Sequence, residues 1–119
     1  MDYENKIYEL SLWSDSPNDG EIKICTIASH AMTSPAKAFN IILNRKTNGE
    51  KTLTFSVLAR YISDETGEYE VNPYLSLLTN ERKVKLKKFE KGQILWYDMI
   101  IKNVAEDSSN YTYTYTAKD

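Results

Sequence analysis

The sequence is short of cysteine, histidine, glycine and proline. Its 119 residues include one cysteine (Cys25), one histidine (His30), four glycines and three prolines. A single cysteine excludes an internal disulfide, and a single histidine removes the ligand pairs that transition-metal sites use. Four isolated glycines do not make a phosphate-binding loop, because such loops need several glycines near the start of a helix. We therefore predict no disulfide, no metal site and no cofactor.

Long apolar runs are also missing. No run approaches the roughly 20 residues that a membrane-spanning helix needs. The first residues, MDYENKIYELSLW, are acidic and lack the apolar core of a secretion signal. A net charge of −2 gives no general attraction to nucleic acid. We expect no membrane partner and no nucleic-acid partner, and the lone cysteine fits synthesis in a reducing cytoplasm.

The chain has the length of a single domain, 1–119, which can bury a substantial core. It stops within three residues of a strongly alternating segment, with no polar tail. We therefore predict that it is the N-terminal part of a longer chain.

Alternation of apolar and polar residues is the dominant pattern, and it has the period of half-buried strands. The predicted strands are 7–13, 21–28, 36–45, 52–62, 83–89, 94–104 and 111–117. Their short connections predict antiparallel pairing. We expect an all-β, mainly antiparallel fold: a small β-barrel or sandwich of about seven strands with one short helix.

Asn48-Gly49 is the strongest turn signal, so 36–45 and 52–62 should form a hairpin. Segment 36–45 could also make two helical turns, but its alternation favours a strand. Segment 21–28 is partly apolar on both faces, which suggests a central strand.

The short helix is predicted over 72–81. Asn72 is a plausible N-cap, and Pro73 suits the first helical position. Tyr74, Leu77 and Leu78 would form its apolar stripe.

No catalytic constellation is visible, and we predict that the chain is not an enzyme. His30 has Ser29, Thr33 and Ser34 nearby in sequence, but adjacency does not orient an imidazole onto a hydroxyl. His30 is therefore interpreted as a loop or packing residue. The acidic clusters SDETGEYE and AEDSS lack the spacing of a calcium loop, so we interpret them as solvated turns.

The basic segment RKVKLKKFEKG is the main electrostatic feature. Lys83, Lys85 and Lys87 would share one face of a strand, and Phe89 would be available for base stacking. This is the alternative function, a small barrel that binds single-stranded nucleic acid. We favour a solvated strand whose lysines discourage edge-to-edge pairing, because no second basic or aromatic row is expected from its neighbours.

The tyrosine ladder of the last segment consists of Tyr111, Tyr113 and Tyr115. It could be a platform for protein or carbohydrate, and we take it as the candidate protein interface. It could also be the inner face of the closing strand, with the phenol groups at the rim, which we favour.

The order of these segments resembles the N-terminal domain of phage tail-tip hub proteins, which are similar in fold to the central hub of contractile-tail baseplates. The resemblance spans nearly the whole chain and lies in strand and turn motifs. The matching residues are Asn48, Gly49, Thr52, Leu53, Thr54 and Phe55, then 81–86, then Trp96, Tyr97, Asp98, Lys102, Glu106 and Asp107.

The resemblance implies an architectural role. Hub proteins are trimers of paired barrel-like domains that form a ring at the end of the tail tube. They contact the distal tail ring, the tail tube and the tape measure. The expected protein is a homotrimeric virion component of the phage tail, made in the host cytoplasm. This chain departs from the pattern because it ends at Asp119 without a second barrel.

Overall fold

The computed structural model describes residues 8–16, 20–46, 49–63, 65–107 and 111–119. The strands found there are β1 (Tyr8–Ser16), β2 (Gly20–Ser29), β3 (Phe39–Arg45), β4 (Lys51–Leu58), β5 (Arg60–Ile62), β6 (Tyr69–Val71), β7 (Lys83–Glu90), β8 (Gln93–Asp107) and β9 (Thr112–Lys118). Seven of them form one sheet in the order β2-β1-β7-β8-β9-β4-β3, and every neighbouring pair is antiparallel. The predicted all-β antiparallel class is confirmed.

The seven-stranded sheet curls around one hydrophobic core. A backbone hydrogen bond of 2.9 Å from Ala38 N to Ile27 O links the start of β3 to the end of β2, so the two edge strands approach each other. All seven strands contribute fully buried side chains to the core, including Leu10, Leu12, Ile27, Ile41, Phe55, Leu86, Ile101 and Ala117. One face of the sheet is therefore buried inside a partly closed barrel, and the other forms the outer surface.

The predicted hairpin between segments 36–45 and 52–62 is confirmed by the pairing of β3 with β4. Its turn has Gly49 at φ +89°, a conformation that favours glycine, and Gly49 N donates to Lys46 O at 3.0 Å. Asn48 lies outside the described residues. Segment 36–45 is a strand from Phe39 onward, and the helical alternative is wrong.

The helix predicted over 72–81 is not formed, since none of the described residues is helical. The segment makes turns closed mostly by bonds three residues apart, and its one bond of the α-helical type runs from Leu78 N to Tyr74 O at 3.0 Å. Asn72 does accept a hydrogen bond from Tyr74 N at 2.9 Å, as an N-cap would, but its amide donates to Ala36 O at 3.0 Å. Because a helix this short cannot repay its nucleation cost, tertiary contacts decide the local structure.

The interpretation of segment 21–28 as a central strand is wrong, because β2 lies at an edge of the sheet. Its pairing with β1 shifts register twice, which leaves Ile24 and Ile27 without a partner on β1. The bulge at Ile27 turns both Ile27 and the next residue, Ala28, into the core. Ile24 and Ile22 are exposed. The apolar residues on both faces therefore reflect a bulged edge strand.

The single strand predicted over 52–62 is divided at Ala59. Ala59 N donates to Tyr111 O at 2.7 Å, and Ala59 O accepts from Asn72 N at 2.9 Å. These two bonds end β4 and redirect the chain into a separate two-stranded ribbon, β5 and β6. Strand β6 was not predicted, because only three residues separate the acidic turn from Asn72.

Candidate interaction surfaces

The three tyrosines of the ladder divide between core and surface. Tyr115 is buried, and its ring stacks on Phe55 with 5.4 Å between ring centroids. Burial raises the pKa of Tyr115. Tyr113 is half-buried, and its ring centroid lies 6.5 Å from that of Tyr115. Tyr111 lies in the turn before β9 at φ +52° and is exposed. The inner-face interpretation therefore holds for Tyr115, and Tyr111 belongs to a different surface.

That surface is centred on the β5–β6 ribbon. Cross-strand pairing places Arg60 opposite Val71 and Ile62 opposite Tyr69, so these four side chains share one face. Ile62, Tyr69 and Val71 are 53%, 73% and 63% exposed. We call the set Ile62, Tyr69, Val71 and Tyr111 the hairpin patch. Arg60, Tyr69 and Tyr111 also line a depression of about 270 Å³, which joins the ribbon to the turn before β9.

The ribbon that carries the hairpin patch is rich in carboxylates. Glu65, Glu68 and Glu70 are all exposed around the turn of the ribbon. Residues 60–71 contain four carboxylates and one arginine, which gives a formal charge of −3. Glu70 pairs with Tyr61 on the other face of the ribbon, whereas Arg60 lies on the same face as the apolar residues of the hairpin patch. The signal of the ribbon in the sequence was the Tyr69-Glu70-Val71 alternation after Gly67.

The predicted basic strand is β7, and Lys83, Lys85 and Lys87 lie on its outer side. It is not an edge strand, because β1 and β8 flank it. The expectation that its lysines protect an edge is therefore wrong. Glu21 lies 3.7 Å from Lys83 Nζ and 3.2 Å from Lys85 Nζ, and Asp98 lies 3.7 Å from Lys85 Nζ. Carboxylates thus neutralise part of the basic face.

The neighbouring strands do supply aromatic residues, contrary to expectation. Trp13 on β1 and Trp96 on β8 flank the lysines of β7. The Nζ of Lys85 lies 4.4 Å from the Trp13 ring centroid, and the Nζ of Lys87 lies 5.3 Å from that of Trp96. This arrangement could not be predicted from the sequence, because it depends on which strands pair with β7.

A second exposed apolar surface lies at the β7–β8 turn. Phe89 pairs with Ile94, and Lys87 pairs with Trp96. Phe89, Ile94 and Trp96 are each about half exposed. We call the set Lys87, Phe89, Ile94 and Trp96 the tip patch. A cavity of about 400 Å³ opens beside it and is lined by Tyr8, Glu9, Ser29, His30, Ala31, Lys87, Lys88, Phe89 and Ile94.

His30 is used structurally. Its Nδ1 lies 3.3 Å from Tyr8 N and 3.2 Å from Tyr8 O. The hydroxyl of Ser34 accepts from Ala36 N at 3.2 Å.

Burial raises the pKa of the Cys25 thiol, which keeps it in its less reactive form. Within the described ranges, no three His, Cys, Asp or Glu residues are grouped so that they could hold a metal ion.

Comparison of the chain with models of known protein families, and with curated proteins, found no match. Among the described residues, no helix has the length and apolar character needed to cross a membrane. Among the described residues, the features that bear on function are the two exposed apolar patches.

Proposed function

We propose that the chain is a non-catalytic structural protein of a virion: the N-terminal β-domain of a phage tail-tip or baseplate hub. The resemblance in strand and turn motifs supports the family, and the all-β fold is compatible with it. The motif residues Leu53, Phe55 and Tyr97 are buried. Trp96 is half exposed in the tip patch. The motif thus supplies both core residues and a surface residue.

The observation that carries the proposal is the hairpin patch. An isolated two-stranded ribbon is only marginally stable in water, and ribbons are normally stabilised by packing their apolar face on something else. Here the apolar face of β5–β6 points away from the core, with Ile62, Tyr69 and Val71 all more than half exposed. Contiguous exposed apolar surface of this kind marks protein contact sites. An assembly subunit explains it better than an isolated binding module.

The resemblance further implies the setting of this subunit. Copies would form a homotrimeric ring in the phage tail. That ring would contact the distal tail ring, the tail tube and the tape measure. Enzymatic activity, where hub proteins carry it, would reside in other domains.

The test is to locate the protein in virus particles. Antibodies against the chain should label the tail tip of virions whose genome encodes it, as seen by immunogold electron microscopy. Mass spectrometry of purified tails should detect the same chain. Labelling confined to infected-cell extracts, with virions free of the protein, would overturn the proposal.

A second candidate is a module that binds single-stranded nucleic acid. The observation that favours it is the placement of Trp13 and Trp96 beside Lys85 and Lys87, since stacking platforms next to cations suit single strands. Its weakness is charge. Glu21 sits between two of the lysines and repels a phosphate backbone.

A further inference from the structure

A polar depression lies on the outer side of the sheet, where β7 runs beside β8. Its volume is about 210 Å³. The charged residues that line it are Lys83, Lys85, Lys118, Glu21, Asp98 and Asp119. Because three lysines stand beside three acidic side chains, the formal charge of this described lining is zero.

The two signs are paired with each other inside the depression. Glu21 Oε1 lies 3.2 Å from Lys85 Nζ, and Asp98 Oδ1 lies 3.7 Å from the same nitrogen. A polyanion bound here would meet these carboxylates, and a polycation would meet the lysines, so like charges disfavour both. An uncharged ligand with many hydroxyl groups fits better, because a hydroxyl donates to a carboxylate and accepts from an ammonium group.

Two tryptophans border the depression. Trp13 on β1 is the cross-strand partner of Lys83, and its ring centroid lies 4.4 Å from Lys85 Nζ. Trp96 lies two residues before Asp98 on β8, on the same side of the sheet, and is half exposed. The C–H groups of a pyranose sugar form flat apolar faces, which pack on indole rings, while its hydroxyls point outward to polar partners.

The positions of the two tryptophans set the length of the ligand. Trp13 pairs with Lys83 and Trp96 pairs with Lys87, so the two lie two strands and four residue steps apart. This corresponds to roughly 16 Å between their Cα atoms. One sugar ring is too short to reach both indole rings, and a chain of several sugars can do so.

Both rings are held in place by neighbouring side chains. Trp13 Nε1 donates to Ser11 Oγ at 2.8 Å, and Lys87 Nζ lies 5.3 Å from the ring centroid of Trp96. The side chain of Lys85, between its two carboxylates, is only 14% exposed. Side chains that are already ordered lose less conformational entropy when a ligand binds.

We propose that this depression and its two tryptophans bind an uncharged oligosaccharide. We call the set Trp13, Lys85, Trp96 and Asp98 the glycan site. The indole rings pack on sugar faces, and Lys85 and Asp98 bond the hydroxyls between them. This inference goes beyond the proposed virion role and does not depend on it.

The experiment is calorimetric titration of the chain with three neutral hexasaccharides of different shape: cellohexaose, chitohexaose and maltohexaose. At least one of them should bind saturably. Trp13→Ala and Trp96→Ala should each weaken that binding at least about tenfold, because each removes an aromatic anchor. Trp96→Phe should keep part of the affinity, since it retains an aromatic face.

Tyr69→Ala is the matched control. It removes an aromatic side chain that is 73% exposed and lies on the β5–β6 ribbon, outside the glycan site. This control should bind the hexasaccharide like the wild type. Circular dichroism with thermal unfolding should show that every variant is folded.

Salt dependence separates sugar binding from nucleic-acid binding. Binding of an uncharged ligand should stay unchanged as the salt concentration rises, whereas binding of oligothymidine should fall steeply. The proposal is overturned when none of the three hexasaccharides binds at millimolar concentration, or when neither tryptophan variant weakens the binding. Tryptophan-dependent binding of oligothymidine without sugar binding would assign the surface to single-stranded nucleic acid instead.

Discussion

Phe55 lies on the inner side of β4 with no exposed surface, and its ring stacks on Tyr115 at an interplanar angle of 19°. Truncation of such a side chain loses both its burial and its contacts. We expect Phe55→Ala to lower the free energy of unfolding by about 3–5 kcal/mol. Urea denaturation followed by tryptophan fluorescence measures it.

The control is the same substitution at an exposed site. Phe89→Ala should cost less than about 1 kcal/mol, because half of the Phe89 side chain is already in water. Equal losses for the two variants would contradict the placement of Phe55 in the core. Phe55→Leu provides an intermediate variant if the alanine variant fails to fold.

The ion pair between Lys23 and Glu9 gives a pH dependence. The hydrogen bond from Lys23 lowers the pKa of Glu9 below its ordinary value, against the opposing effect of burial. A lowered folded-state pKa adds stability above the unfolded pKa, and this stability is lost as the pH falls through the folded value. We expect Lys23→Gln to cost less than about 1 kcal/mol at neutral pH.

That cost should shrink as the pH falls below about 4, the ordinary range of a glutamate, and disappear once Glu9 is protonated in both states. Urea midpoints measured across the acid range test this, with Lys46→Gln as the control in an exposed pair with Glu50. A difference between wild type and Lys23→Gln that persists in strong acid would show that the contribution is not electrostatic.

The sequence predicted the position of some single residues in the core or on the surface, but not of others. The inward orientation of Tyr115 follows from alternation, which is a local property of extended backbone. The departure of Tyr111 follows from its positive φ, and no pattern in the chain signals it. The approach of Trp13 and Trp96 to the lysines depends on strand partners far apart in sequence.

At the scale of elements, Asn72 joins two loops. Its amide donates to Ala36 O and its carbonyl oxygen accepts from Tyr74 N, while its side chain is fully buried. Asn72→Ala would leave both backbone groups without this partner. We expect a loss of about 2–4 kcal/mol, since each unsatisfied buried group costs roughly 1–3 kcal/mol.

Thermal and urea unfolding measure this loss, with Asn103→Ala on the exposed part of β8 as the control. Asn72→Asp keeps the acceptor but removes the donor to Ala36 O, so its free energy of unfolding should be lower than that of the wild type. An Asn72→Ala chain as stable as its control would show that water replaces the two hydrogen bonds.

Most strands could be predicted because apolar and polar residues alternate along them, and this pattern is visible in consecutive residues. The strand predictions were wrong where the pairing between strands, and not the alternation within one strand, decides the structure. Strand β2 was misplaced because its bulge at Ile27 puts apolar residues on successive positions. The ribbon β5–β6 was missed because the chain is redirected at Ala59 by Tyr111 and Asn72, both distant in sequence.

At the scale of the whole molecule, a net charge of −2 conceals a polarised surface. Within the described part of the chain, the basic face of β7 is the surface most suited to a polyanion, and carboxylates already engage Lys83 and Lys85. We expect no submicromolar binding of single-stranded DNA at physiological salt, since each phosphate neutralised adds only about −0.7 to the salt slope.

Fluorescence anisotropy with a labelled oligothymidine measures this, and Glu21→Gln should strengthen the residual binding by removing the competing carboxylate. Submicromolar affinity with a steep salt dependence, lost in Trp96→Ala, would instead establish the nucleic-acid candidate.

The pairing of β1 with β7 has a consequence for how the chain folds during synthesis. Strand β1 is complete at Ser16, but β7 ends at Glu90. The β1–β2 hairpin is complete at Ser29, so at roughly 5–20 residues per second it waits about 3 to 12 s before the whole of β7 has been synthesised. The side of β1 that later bonds β7 stays open in that interval. Ribosome-bound chains truncated before β7 should therefore remain sensitive to protease, and protection should appear only after the tunnel releases Glu90.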